Sequence, residues 1–435
     1  MLTSRCISRP LRAYAATRRG KLMLRIFFML LAAIAAPGAA AAAAADPVLD
    51  PRGADDSSYG RPQNYPLPPP FTSPQPATMV GFYSHYDQVR TLRPVRRAGE
   101  PSVLRRATAP LSLQWQNAGS TTDLEDYLAR TPVTGLLIAR GDTILYEHYR
   151  YARSDTDRFL SQSMVKTITG LLVGIAVSEG RIRSIDDTAA TYVPELAGSE
   201  YGATPIRALL RMTSGVQYRE TYQPGDDSEK LGSALFPRNA PGAVAAVRQF
   251  DTRIAPPGAR YYYAGAETEV LGLVVARAAG QSLSDYLSSR IWGPMGMEAD
   301  AAWATDPTGQ EIAYCCFVAR LRDWARLALM LANDGAWDGR QIVPRQWLID
   351  STTSAPDAPG APGRITGGRG YGNQVWLLPG ERRGFALFGI HGQRIFVDPA
   401  TRLVLVQTAV FQPAGGPTLS EAGRLWQELL HQVSK

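Results

Sequence analysis

The chain has 435 residues, 45% of them hydrophobic and 9% aromatic, enough for a large core and for two or three domains. Its formal charge of +7 is local: residues 1–45 hold seven basic side chains and no acidic one, and the remainder carries 39 basic against 39 acidic residues. A neutral body argues against a polyanion-binding surface, so no nucleic-acid partner is expected.

The amino terminus reads as a secretory signal over residues 1–45. A basic stretch ends at Arg25, an apolar run covers residues 26–36, and an alanine tract to Ala45 offers small-residue cleavage sites. An uncleaved membrane anchor is the alternative, weakened by Pro37 and Gly38. The expectation is an exported chain, periplasmic or secreted, with no stable membrane association after cleavage. Residues 46–110 follow, with nine prolines between Asp46 and Pro76, and are expected as an extended arm or linker.

The globular pattern begins near Leu111. A helix is expected over 122–129, then two apolar-rich runs, 133–140 and 143–150, flanking the hairpin signal Gly141-Asp142. Residues 159–178 are too long for a strand and read as a buried helix, with Gly170 and Gly174 allowing close packing. A mostly helical stretch, broken by loops such as 223–227, continues to about Met295. A helix over 321–332 ends at Asn333-Asp334-Gly335. Strand-like runs return at 374–378, 385–389, 394–397 and 403–409, and an amphipathic helix closes the chain over 420–433. The expected fold class is α/β, with one sheet built from residues 111–160 and 300–435 and an all-helical domain of 161–299 inserted.

Ser163-Met164-Val165-Lys166 is the first chemical signal. A helix beginning near Ser161 puts Ser163 in its first turn and Lys166 one turn on, on the same face. The N–H groups at such a helix start can steady an oxyanion. The chain uses only four lysines (Lys21, Lys166, Lys230, Lys435) among 46 basic residues, so a lysine inside the apolar run is a pointed choice. A buried lysine can lose its proton and act as a base, which arginine cannot. About a hundred residues later stand Tyr261-Tyr262-Tyr263-Ala264-Gly265, with Gly272 nine residues after Tyr263. A third segment, Phe385-Ala386-Leu387-Phe388-Gly389-Ile390-His391-Gly392, reads as a strand and its end.

In that order, these segments resemble the three motifs of the serine β-lactamase and penicillin-binding-protein superfamily, of class C type, closest to the branch of aminohexanoate-dimer (nylon-oligomer) hydrolase and esterases. The resemblance covers roughly residues 111–435. It implies an antiparallel sheet flanked by helices beside a helical domain, with the site in the cleft between. It further implies Ser163 as nucleophile, Lys166 as base, Tyr263 as proton carrier, and the N–H groups of Ser163 and Ile390 as an oxyanion hole. Gly389 matches the last glycine of the third motif, and His391 is placed at the pocket. Gly265 stands where relatives carry Asn, and Leu387-Phe388 where β-lactamases carry Lys-Thr; both departures point away from antibiotics and toward esters or small linear amides. Tyr222 matches a tyrosine that closes over substrate in the hydrolase branch, or else packs at the surface. β-Lactamase, D-amino-acid peptidase and a penicillin-recognising binding protein remain the alternatives.

The rival chemistries find less support. Only four histidines exist, and no G-x-S-x-G segment occurs, so a Ser-His-Asp mechanism is not expected. No metal-ligand spacing or phosphate loop is evident, and neither metal nor cofactor is expected. Cys315 and Cys316 are expected as packed thiols, because neighbouring cysteines rarely bridge.

Overall fold

The hairpin predicted at Gly141-Asp142 supplies two neighbouring strands near one edge of a large sheet in the computed structural model, which describes residues 47–109, 111–117, 119–412 and 421–433. Among these residues the main sheet has nine strands. They are β1 (Val48–Asp50), β2 (Arg105–Arg106), β3 (Val133–Arg140), β4 (Thr143–Arg150), β5 (Gly370–Tyr371), β6 (Trp376–Leu377), β7 (Phe385–Gly389), β8 (Gln393–Asp398) and β9 (Leu403–Ala409). The spatial order is β1-β4-β3-β9-β8-β7-β6-β5, with β2 also pairing along β4. From β4 to β5 every pairing is antiparallel.

Both faces of this sheet are covered, which is why its central strands β3 and β9 are buried along nearly their whole length rather than alternating. Five helices build the core around the sheet and the Ser163 turn: α1 (Leu124–Arg130), α2 (Val165–Ser178), α3 (Gly265–Ala279), α4 (Leu321–Ala332) and α5 (Glu421–Val433). On one face Leu136, Ile138, Phe396 and Leu405 pack with Leu128 of α1 and with Leu425 and Trp426 of α5. Trp426 stacks on Phe396 with ring centroids 5.5 Å apart. On the other face Leu137, Ile395, Val404 and Val406 join a larger core with α4, α2 and α3. Each buried aliphatic side chain contributes about 1.5–3 kcal/mol relative to exposure. Among the described residues no helix is long and apolar enough to cross a membrane.

The structure departs from the sequence reading in three places. Residues 47–109 are not a free arm. β1 and β2 join the sheet, Leu92–Val95 pairs with Ala301–Ala304, and the short helix Met79–Ser84 is wholly buried. Counting prolines misleads because Tyr59, Tyr65, Phe82, Tyr83 and Tyr86 lie between and beyond them and supply apolar surface to bury. Residues 159–178 are not one helix: Arg158–Leu160 is a strand, Gln162–Met164 a tight turn, and α2 begins only at Val165. That strand belongs to a second sheet of four strands, where a single sheet was expected. The expected secretory signal lies outside the described residues.

Candidate active site

Ser163 sits on the turn between the strand Arg158–Leu160 and α2. One turn on, Lys166 is 1% exposed, and its Nζ lies 3.0 Å from Ser163 Oγ. The same nitrogen donates to the Tyr314 carbonyl at 2.9 Å and stands 5.1 Å from the ring centroids of both Tyr263 and Tyr314. Burial pushes the lysine down to about 8, against the pull of the Glu220 and Glu269 carboxylates. Removing an ammonium from water disfavours its charged form. Ser161 is a different kind of serine. It is fully buried, donates to the Gln162 carbonyl at 2.8 Å and accepts the Phe317 N–H at 3.1 Å.

Tyr263 reaches the same point from just ahead of α3, its hydroxyl within hydrogen-bonding reach of Ser163. Its ring stacks on Trp376 at 5.5 Å and meets Tyr371 edge-on at 5.9 Å. Burial, reinforced by Glu220, raises its pKa far above the ordinary tyrosine value. α3 comes this close because Gly272 lacks a side chain: a Cβ there would stand 2.3 Å from Ala313 Cβ.

Gly265 opens α3, and its N–H donates to Glu220 Oε2 at 2.6 Å. A Cβ on it would meet Glu220 Oε2 at 3.2 Å and the Tyr314 ring at 3.1 Å. The space of an asparagine side chain is therefore taken by a carboxylate. The other oxygen of Glu220 accepts the Tyr222 hydroxyl at 2.7 Å, and Tyr222 is 41% exposed. Tyr222 and Gly265 are thus joined through Glu220, a residue that no motif picks out.

The end of β7 closes the other side. A Cβ on Gly389 would lie 2.5 Å from the Ser161 carbonyl, so only glycine lets this strand end approach the Ser163 turn. Ile390 follows directly. His391, at φ +60, serves the scaffold: its Nδ1 pairs with the Phe411 carbonyl at 2.6 Å, and its ring meets Tyr83 edge-on at 5.6 Å. Tyr83 in turn accepts Gln162 Nε2 at 2.7 Å, so the segment after the prolines buttresses the residue before the serine. Leu387 is buried in the core and Phe388 packs on Trp376 at 6.0 Å. The wall nevertheless keeps positive charge, because Arg369 and Arg394 stand 5.9 and 5.2 Å from the Phe388 ring centroid.

The Beta-lactamase family model matches residues 121–417. This chain belongs to the β-lactamase family. Within it, the chain is 31% identical over 293 residues to the 6-aminohexanoate-dimer hydrolase of Paenarthrobacter ureafaciens, covering 66% of this chain and 74% of that protein. The structure of a proposed 6-aminohexanoate-dimer hydrolase from Bacillus anthracis superposes with a TM-score of 0.71 at 25% identity, over 83% of this chain and 95% of that one. A penicillin-binding-protein homologue from Pyrococcus abyssi shares the fold at a TM-score of 0.54 and 19% identity, over 69% and 74% of the two chains.

One cysteine expectation fails in this β-lactamase-family chain. Cys315 and Cys316 are bonded to each other rather than packed as thiols. The residues around them fix Tyr314: Glu269 Oε2 accepts the Ala313 N–H at 2.8 Å, and the Tyr314 N–H also bonds this carboxylate.

Glu269 and its neighbour Glu267 make stability depend on pH. Burial lifts each from its ordinary 4.5 to about 8. The native state therefore holds protons that the unfolded chain has already lost, and stability present below 4.5 is lost as pH rises through about 8. Each group contributes at most about 1.4 kcal/mol per pH unit in that window. Lys166 has the opposite sign, but only above about 8. The expected result is a Tm lower at pH 8 than at pH 6, with the dependence flattened in Glu269→Gln. A wild-type Tm constant over that range would contradict these buried protons.

Proposed function

We propose that the protein is an exported serine hydrolase that cleaves esters or small linear amides through an acyl-enzyme on Ser163. The observation that carries this is Lys166 Nζ at 3.0 Å from Ser163 Oγ, in surroundings that bring the lysine down to about 8. A base poised near working pH takes the serine proton as the hydroxyl attacks the substrate carbonyl. The N–H groups of Ser163 and Ile390 receive the developing oxyanion, and Tyr263 passes a proton to the leaving group. Water then releases the acyl group. The likeness to a 6-aminohexanoate-dimer hydrolase supports linear amides. Export is supported by the disulfide, which belongs to oxidising compartments.

The choice against antibiotics rests on Gly265, Leu387 and Phe388. A β-lactam carboxylate sits beside its reacting amide, where these residues offer neither cation nor hydroxyl. Apolar side chains at these positions select by size, with about 1–3 kcal/mol per methylene, while the Arg369 and Arg394 guanidiniums stand over the Phe388 ring rather than at the positions of the motif itself. The expected result is a kcat/KM for p-nitrophenyl butyrate well above that for a chromogenic cephalosporin on the same preparation. A cephalosporin preference would overturn the substrate reading and leave a β-lactamase.

A further inference from the structure

Residues 314–317 join the two halves of the nucleophile–base pair. At one end the Tyr314 carbonyl accepts Lys166 Nζ at 2.9 Å. At the other, the Phe317 carbonyl accepts the Ser161 N–H at 2.8 Å, and the Phe317 N–H donates to Ser161 Oγ at 3.1 Å. Ser161 lies two residues ahead of Ser163. Only Cys315 and Cys316 stand between these anchors, and they are bonded to each other.

A bond between neighbouring side chains closes a small ring around the peptide that joins them, and fixes the torsions on either side of it. Cys316 has φ +73, a conformation that side chains other than glycine rarely hold unaided. External contacts grip the carbonyls: Cys315 O accepts Trp303 Nε1 at 3.2 Å, and Cys316 O accepts the Ala304 N–H at 3.0 Å. Both cysteines are buried, at 5% and 3% exposed.

We propose that the Cys315–Cys316 disulfide is a positioning element: it sets the spacing of Tyr314 from Phe317 and thereby holds Lys166 against Ser163. The proposal rests on the serine–lysine mechanism above. A base displaced by a fraction of an ångström loses rate without losing substrate affinity. Freed of its ring, the turn also admits water, and the burial that lowers the lysine weakens.

The test compares oxidised wild type, wild type reduced with dithiothreitol, and the Cys315→Ala/Cys316→Ala double variant. Reduction moves two electrons and two protons from the dithiol, which closes to its own cyclic disulfide, and intact mass reports the two hydrogens gained. On p-nitrophenyl butyrate, kcat is expected to fall about 10- to 100-fold in both altered forms, with KM changed less than about threefold. The inflection in the pH profile of kcat/KM is expected to move upward from about 8. Re-oxidation restores the reduced wild type and leaves the double variant unchanged, while circular dichroism confirms that each form is folded. A folded double variant with wild-type kcat and inflection overturns the proposal. Labelling of Ser163 by a fluorophosphonate reads the same pair without turnover. Wild-type inactivity on the ester would therefore count against the proposed function, while the labelling rates still decide the role of the disulfide.

Discussion

Ser163→Ala is expected to lower kcat by a factor on the order of 10⁴ to 10⁶, the largest effect of any single substitution in this chain. The loss is specific because the neighbouring hydroxyls are differently engaged: burial holds Tyr263 as a phenol, a poor nucleophile. Ser161 is the only other serine within reach in sequence, and its hydroxyl is engaged with Gln162 and Phe317 in a fully buried setting. Removing one oxygen at Ser163 leaves its partners in place, since Lys166 keeps the Tyr314 carbonyl. The variant should therefore fold with an unchanged Tm. Intact-mass analysis of wild type with a slowly turned-over ester should give one acyl adduct, and peptide mapping should place it on Ser163. An adduct on Ser161, or substantial turnover by Ser163→Ala, would remove Ser163 as the nucleophile.

The parts of this site that are legible in sequence are those fixed by local spacing. Ser163 and Lys166 lie one helical turn apart, and the three-residue offset alone puts them on one face. The strands from β7 to β9 follow from apolar runs bounded by turn residues, and α4 from its period and its Asn-Asp-Gly stop. Glu220 is illegible because its role depends on an absence elsewhere. It fills space vacated at Gly265, and a carboxylate in a loop carries no signal of that. Tyr314 acts through its backbone carbonyl, which every residue possesses. The buried glutamates Glu267 and Glu269 are visible in the sequence as two charges inside the apolar run that opens α3, and charges spaced in that way merit a question. The packing of residues 47–109 is hidden because proline content describes backbone stiffness and says nothing of the aromatic rings nearby.

Lys166→Arg is expected to lower kcat/KM by about 10³-fold, the middle of the usual range of a general-base contribution, while keeping positive charge in the site. The two candidates for taking the serine proton are Lys166 and Tyr263, and their surroundings push them in opposite directions. Burial lowers the lysine to about 8 and raises the tyrosine far above its ordinary value. Burial penalises the charged form of each, ammonium in one case and phenolate in the other. Near neutral pH an accessible fraction of the lysine is already a free amine, whereas the tyrosine remains a phenol and can only donate or relay. Wild-type kcat/KM should accordingly rise about tenfold per pH unit below about 8 and level off above it, because the neutral amine is the active form. Arginine keeps its proton throughout this range, so Lys166→Arg should lose that limb of the profile as well as the rate. Guanidinium is bulkier than an ammonium in a fully packed position, so Lys166→Met serves as the neutral control, and a Tm for each variant separates misfolding from lost chemistry. A folded Lys166→Arg enzyme with near-normal turnover and an unaltered profile would assign the base elsewhere, with Tyr263 the next group to test.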